Sequence, residues 1–141
     1  MSTEELTNKL KSYENINDFL EENQAEFNED GLQKFLDIML QCRNMTLPTL
    51  ALQSGISVPY IYNLYTGRKS TPRKDILLRL AFGLSLNPDE ANRLLVLGGV
   101  SPLRAKMRRD SIIIFCLENG HSIMDADELL LKYGLAAVSS A

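Results

Sequence analysis

The 141-residue sequence predicts an all-α protein. Two observations carry that reading. Apolar residues recur three and four positions apart through nearly every segment, the spacing that gathers them on one helix face. The segments open on capping residues or proline and close on glycine, and no partner strand is visible anywhere.

The elements follow in order. Ser2 with Glu5 three residues on makes a capping-box pattern, and Leu6, Leu10 and Tyr13 follow at helical spacing. Ile16, Phe19 and Leu20 mark a second short amphipathic stretch, and Asn28 to Gly31 reads as a turn. Leu32, Phe35, Leu36, Met39 and Leu40 then line one face of a stronger helix. Thr46 caps the next, with Pro48 in the first turn, where a missing N–H is tolerated, and Gly55 at its end. Ser57 caps another from Val58 to about Thr66, with Pro59 in its first turn and Gly67 as its stop. Thr71 and Pro72 open the following helix, whose inner face is Ile76, Leu77, Leu80, Ala81 and Leu84. Asn87 and Pro88 open one more, with Asp89 and Glu90 at its positive end, Leu94, Leu95 and Leu97 behind, and Gly98-Gly99 closing it.

The stretch from Met107 to Asn119 is apolar on all sides in its centre, at Ile112 to Leu117. Periodicity does not separate a buried helix from a strand there; helix is favoured because nothing offers to pair with a strand. Ser122 and Asp125 repeat the capping-box pattern, and Gly134 ends the last helix.

Charge divides the chain into three. Residues 1–30 carry −7, residues 31–100 carry +4 and residues 101–141 are neutral, within a net charge of −3. The division gives an acidic N-terminal helical segment, a basic middle domain, and a C-terminal helical extension that packs on that domain or on a partner subunit. The acidic total thus hides a basic middle, and local charge favours nucleic acid.

Several classes fall away. No stretch approaches the roughly 20 apolar residues of a membrane span, and the N-terminus has neither a basic leader nor an apolar core. Cys42 and Cys116 read as buried thiols of a cytoplasmic protein. His121, the only histidine, reads as an exposed turn residue. Asp125, Asp127 and Glu128 form an acidic helix start, as the macrodipole prefers. With no metal-ligand spacing, phosphate-cradling glycine loop or nucleophile elbow, no enzyme activity, metal, cofactor or small-molecule substrate is expected.

The stretch "TLPTLALQSGISVPYIYNLYTGRKSTP" carries a resemblance. Leu50-Ala51, Gly55-Ile56-Ser57, Ile61, Leu64, Gly67 and Pro72 fall at the spacing of the lambda-repressor-like, or Xre-type, helix-turn-helix domain of bacteria. The chain resembles that five-helix domain over about residues 32–98, flanked by the acidic N-terminal helices and a C-terminal helical pair. Residues 100–136 also resemble the C-terminal extension of a set of small bacterial regulator-like proteins.

The resemblance implies that the helix from Val58 lies in the major groove of double-stranded DNA, its N-terminal residues toward the bases. Val58, Pro59, Tyr60, Tyr62 and Asn63 are then the base-reading candidates. Asn63 carries the amide that matches adenine, and Val58 suits a thymine methyl. Tyr60 and Tyr62 are expected to be exposed, and Tyr65 half-buried beside Leu64. The phosphate candidates are Thr46, Ser57, Arg68, Lys69, Arg73 and Lys74. Arg68, Lys69, Arg73, Lys74 and Arg79 fall within 12 positions, opposed only by Asp75. A second basic group, Arg104, Lys106, Arg108 and Arg109, is expected to be solvated or paired with Asp110 and the acidic N-terminus, with extension of the phosphate surface as the alternative. The chain departs from the family pattern at Leu47, where many members carry a phosphate-contacting Gln, and at Val58 and Pro59, where polar residues are common.

Two functions fit these residues. One is a DNA-binding transcriptional regulator, a homodimer by resemblance. The other is an adaptor that keeps the fold and binds a protein partner through Val58, Pro59, Tyr60 and Tyr62. The segment 1–30 reads as an acidic solvated helix, with folding back onto the basic surface in competition with DNA as the alternative.

Overall fold

The structure, a computed structural model, describes residues 4, 5, 8, 31–68 and 72–139. The N-terminal helices expected before Gly31 lie outside the described residues, apart from helical Glu4, Glu5 and Asn8. Among the described residues from Gly31 onward the regular elements are helices: α1 (Gly31–Cys42), α2 (Leu47–Ser54), α3 (Val58–Thr66), α4 (Lys74–Gly83), α5 (Pro88–Leu97), α6 (Arg108–Glu118) and α7 (Ile123–Lys132). The Ile112 to Leu117 segment, undecided by periodicity, is helical within α6.

The local signals act as physical chemistry requires. Thr46 Oγ1 accepts from Thr49 N at 3.3 Å and Ser57 Oγ from Tyr60 N at 3.4 Å, each satisfying an orphan N–H of a first turn. Asn87 with Glu90, and Ser122 with Asp125, close full capping boxes. Gly55 and Gly67 end α2 and α3 at φ of 71° and 83°, a region costly for residues with a Cβ. One start differs from expectation. α4 begins at Lys74 with Arg73 as its cap residue, and Pro72 is buried ahead of it. Arg73 is extended, so the chain turns helical after the proline instead of at it.

α4 is the hub. It packs on α2, α5 and α7, while α3 packs on α1 and α2. Ile76, Leu77, Leu78, Leu80, Ala81 and Phe82 are all buried in it. At its crossing with α2, a Cβ on Gly83 would meet Ser54 Cβ at 2.9 Å and Leu50 Cδ1 at 3.0 Å. Ser54 is fully buried there, and its hydroxyl donates to Ala51 O at 3.3 Å and accepts from Ile56 N at 3.4 Å.

The C-terminal extension joins the same core. α7 packs on α4 and α6 on α5, and Ile113, Cys116, Leu117, Ala126, Leu130 and Val138 belong to the cluster containing Phe35, Leu64 and Leu77. Asp127 accepts from Val138 N at 2.6 Å and from the Ser139 hydroxyl, so it holds the tail beyond merely favouring the helix dipole. Cys42 is a half-buried thiol and Cys116 a buried one whose pKa is raised by burial and by Asp125. His121 is half-buried, its ring perpendicular to that of Phe115 at 5.8 Å between centroids, not simply exposed.

Candidate functional site

α3 is short, and its back is fixed from three directions. Ile61 and Leu64 sink into the core. Tyr65 is half-buried, and its hydroxyl donates to Asp37 Oδ1 on α1 at 2.8 Å. That carboxylate, with burial, raises the tyrosine pKa. Gln33 on α1 donates to Leu64 O at 3.5 Å, near the C-terminal end of α3. α1 is therefore a brace that sets the angle of α3.

The opposite face is open. Val58 is 40% exposed and Tyr62 47% exposed, with Pro59 and Asn63 exposed beside them. Tyr60 differs from expectation: it is half-buried and packs against the core. Four of the five residues expected to read bases thus share one exposed surface at the start of α3.

The residues expected on phosphates separate into two kinds. Arg68 and Arg73 are exposed, one just past the end of α3 and the other at the start of α4. Among the described residues no side chain caps α4, at whose start Arg73 stands. Lys69 lies outside the described residues. Lys74 is turned inward: its ammonium donates to Ser101 Oγ at 3.2 Å and stands 3.8 Å from Asp110. Arg79, from the same basic run, donates to Val138 O at 3.4 Å and Ser139 O at 2.6 Å. It ties the C-terminal tail to α4. Among the hydroxyls, Thr46 accepts from Thr49 N and donates to Thr49 Oγ1 at 2.9 Å. Among the described residues Ser57 only accepts, so its O–H can donate. Leu47, at the departure from the family pattern, is half-buried against the core.

The second basic group also divides. Arg104, Lys106 and Arg108 are exposed. Arg109 forks onto both oxygens of Asp75 at 3.1 and 3.3 Å and donates to Ala136 O at 2.9 Å. The pairing expected with Asp110 goes to Asp75 instead, since Asp110 receives Arg104 N at 2.9 Å and faces Lys74. Nothing in the sequence marks this exchange; the partners are 34 positions apart.

Among the described residues, no group of three or more His, Cys, Asp or Glu side chains is placed to hold a metal ion. No helix there is long and apolar enough to cross a membrane. Residues 35–94 match the family model of the Cro/C1-type HTH DNA-binding domain, a span under half of the chain that covers α2 to α4 and most of α1 and α5. Comparison with curated proteins and with solved structures returned no significant match.

Proposed function

We propose, with the Cro/C1-type match over residues 35–94 as premise, that the chain is a transcriptional regulator that docks α3 in the major groove of double-stranded DNA. The observation that carries it is the contrast across α3. Its back is held by Ile61, Leu64 and the Tyr65–Asp37 hydrogen bond, while Val58, Pro59, Tyr62 and Asn63 are exposed at its start. A groove-reading element needs that rigidity, because a tilt of the helix moves every side chain relative to the base edges.

In this reading Asn63 offers an amide to adenine and Val58 a methyl contact to thymine. Arg68 and Arg73, with Lys69 between them in sequence, neutralise phosphates on either side of the linker to α4. Ser57 donates its free O–H to a phosphate oxygen. Lys74 contributes least, because its ammonium already faces Ser101 and Asp110.

The test is a titration of the full chain with DNA from upstream of its own gene and with a scrambled duplex, at low and moderate salt. The expected result is a steep loss of affinity as salt rises, with the upstream DNA preferred. No binding to either duplex at low salt removes the reading. Binding without preference removes base recognition by α3 and leaves phosphate contact alone.

A further inference from the structure

α6 and α7 leave an apolar groove of about 530 Å³ between them, lined by Arg108, Ser111, Ile112, Phe115, Leu129 and Tyr133. The four residues from α6 share one face of that helix, and Leu129 and Tyr133 stand one turn apart on the other wall. Phe115 is 54% exposed and Tyr133 51%, although the other side of each helix is in the core. The volume lies within the roughly 300–1,000 Å³ of small-molecule sites. A protein partner takes about 20–30 residues a side, far more than the groove gathers.

The charges around the groove say what kind of molecule fits. Among the described residues that line it, Arg108 alone is charged. Arg108 is exposed, and among the described residues no anion or acceptor is placed beside it. Asp110, in the same turn, is engaged elsewhere: it accepts from Arg104 N at 2.9 Å and stands 3.8 Å from Lys74. Arg109 is committed to Asp75. On the other wall the adjoining Lys132 adds a second cation, 5.9 Å from the centre of the Tyr133 ring. Glu118 and Glu128 are exposed on the two helices, and neither lines the groove. The lining thus offers one positive end and hydrocarbon along the rest.

The donors narrow the class further. The guanidinium is a planar fork that matches the two oxygens of a carboxylate. Ser111 spends its O–H on Ala105 O at 2.7 Å, so it offers a ligand only lone pairs. A phosphate, with more charge and more oxygens to satisfy, finds no ring of donors here. We propose that the groove binds a small apolar carboxylate, with its headgroup on Arg108 and its body on Ile112, Phe115, Leu129 and Tyr133. From Arg108 to Phe115 the groove runs about 10 Å at 1.5 Å per residue, comparable to a medium-length acyl chain. The site does not rest on DNA recognition, since these lining residues all lie outside residues 35–94.

Isothermal titration of the full chain with octanoate, 1-octanol and acetate tests the proposal, with far-UV circular dichroism to verify that every variant is folded. Octanoate is expected to bind with a dissociation constant below about 1 mM, and acetate, a headgroup without a body, far more weakly. Arg108→Gln is expected to weaken octanoate about tenfold and to leave 1-octanol unchanged, because only the charged headgroup meets the guanidinium. Phe115→Ala, at an exposed position, is expected to weaken both about tenfold, because it removes apolar wall. Amide chemical-shift changes on adding octanoate are expected along residues 108–115 and 129–133. No octanoate binding at millimolar concentration overturns the proposal, as do shifts confined to other residues. Equal octanoate binding by wild type and Arg108→Gln overturns the anion site. Sedimentation of the wild type covers another occupant: self-association that Phe115→Ala abolishes and octanoate leaves intact makes a second copy the cover, and overturns the proposal. The DNA titration is independent. Its failure leaves the groove standing, and failure of octanoate to bind leaves the DNA reading standing.

Discussion

Removing Arg68 and Arg73 together is expected to flatten the salt dependence of DNA binding, whereas removing Arg109 is not. The two groups carry the same charge and differ in what already holds it. Arg68 and Arg73 are exposed. Each phosphate neutralised adds about 0.9 to the slope of log affinity against log salt, so Arg68→Ala/Arg73→Ala lowers that slope by about 2. Arg109 spends its donors inside the chain, on Asp75 at 3.1 and 3.3 Å, Ala136 O at 2.9 Å and Ala137 O at 3.3 Å. Arg109→Ala therefore leaves the slope unchanged and acts on stability. The Asp75 side chain is 40% exposed, so water replaces part of what is lost and the cost is about 1–2 kcal/mol. For a chain of this size that is a fall of about 3–8 °C in Tm. Fluorescence anisotropy with a labelled duplex over roughly 50–200 mM salt reads the slope, and thermal circular dichroism reads the stability. If the double variant keeps the wild-type slope, or if Arg109→Ala flattens it equally, the assignment of these cations by their intramolecular partners is wrong.

Four further outcomes follow from particular contacts. Gly83→Ala forces a Cβ to within 2.9 Å of Ser54 Cβ and 3.1 Å of the Ser54 backbone nitrogen, so overpacking by about 1–2 kcal/mol outweighs any helix propensity gained, and a chemical denaturation midpoint that rises refutes the close crossing of α2 and α4. Tyr65→Phe loses the bond to Asp37, at about 1 kcal/mol. Because folding raises the Tyr65 pKa, that contribution is whole below the ordinary tyrosine value of 10.0 and is lost as pH rises through the folded value; urea titrations on both sides of that range show the wild type and the variant converging at high pH. Asn63→Ala is expected to leave Tm unchanged and to cut the preference for the recognised duplex by about 1–3 kcal/mol, measured by competition between the two duplexes. Cys116, buried and with its pKa pushed up by burial, is expected to react with a thiol reagent far more slowly than the half-buried Cys42, read as two phases of dye release.

The local half of this fold was legible in the sequence because its causes are local. Thr46, Ser57, Asn87 and Ser122 cap helices because a short polar side chain reaches an N–H within its own turn, and the pattern is complete within four residues. The apolar stripes from Leu32 to Leu40 and from Ile76 to Leu84 are buried because helical spacing alone puts them on one side. Pro72 misled for a related reason. Proline favours a first helical turn, but here it is buried ahead of α4, and what it packs against is decided outside its own segment.

The long-range polar ties were not legible, and they are what give the basic cluster its meaning. Arg68, Arg73, Lys74 and Arg79 look alike in sequence, a run of cations opposed by one aspartate. In the folded chain two of them are committed. Lys74 faces Asp110 across 36 positions, and Arg79 holds carbonyls 59 and 60 positions away. Their partners all come from the C-terminal extension, which also supplies the Arg109 that neutralises Asp75. The extension therefore does more than cover the apolar side of α4. It absorbs the charges that point back toward the body of the protein and removes the one acidic group that opposed the cluster. Exposed positive charge is left where α3 ends and α4 begins. Composition counts charges; only the packing of α6 and α7 on α5 and α4 decides which of them can meet a phosphate.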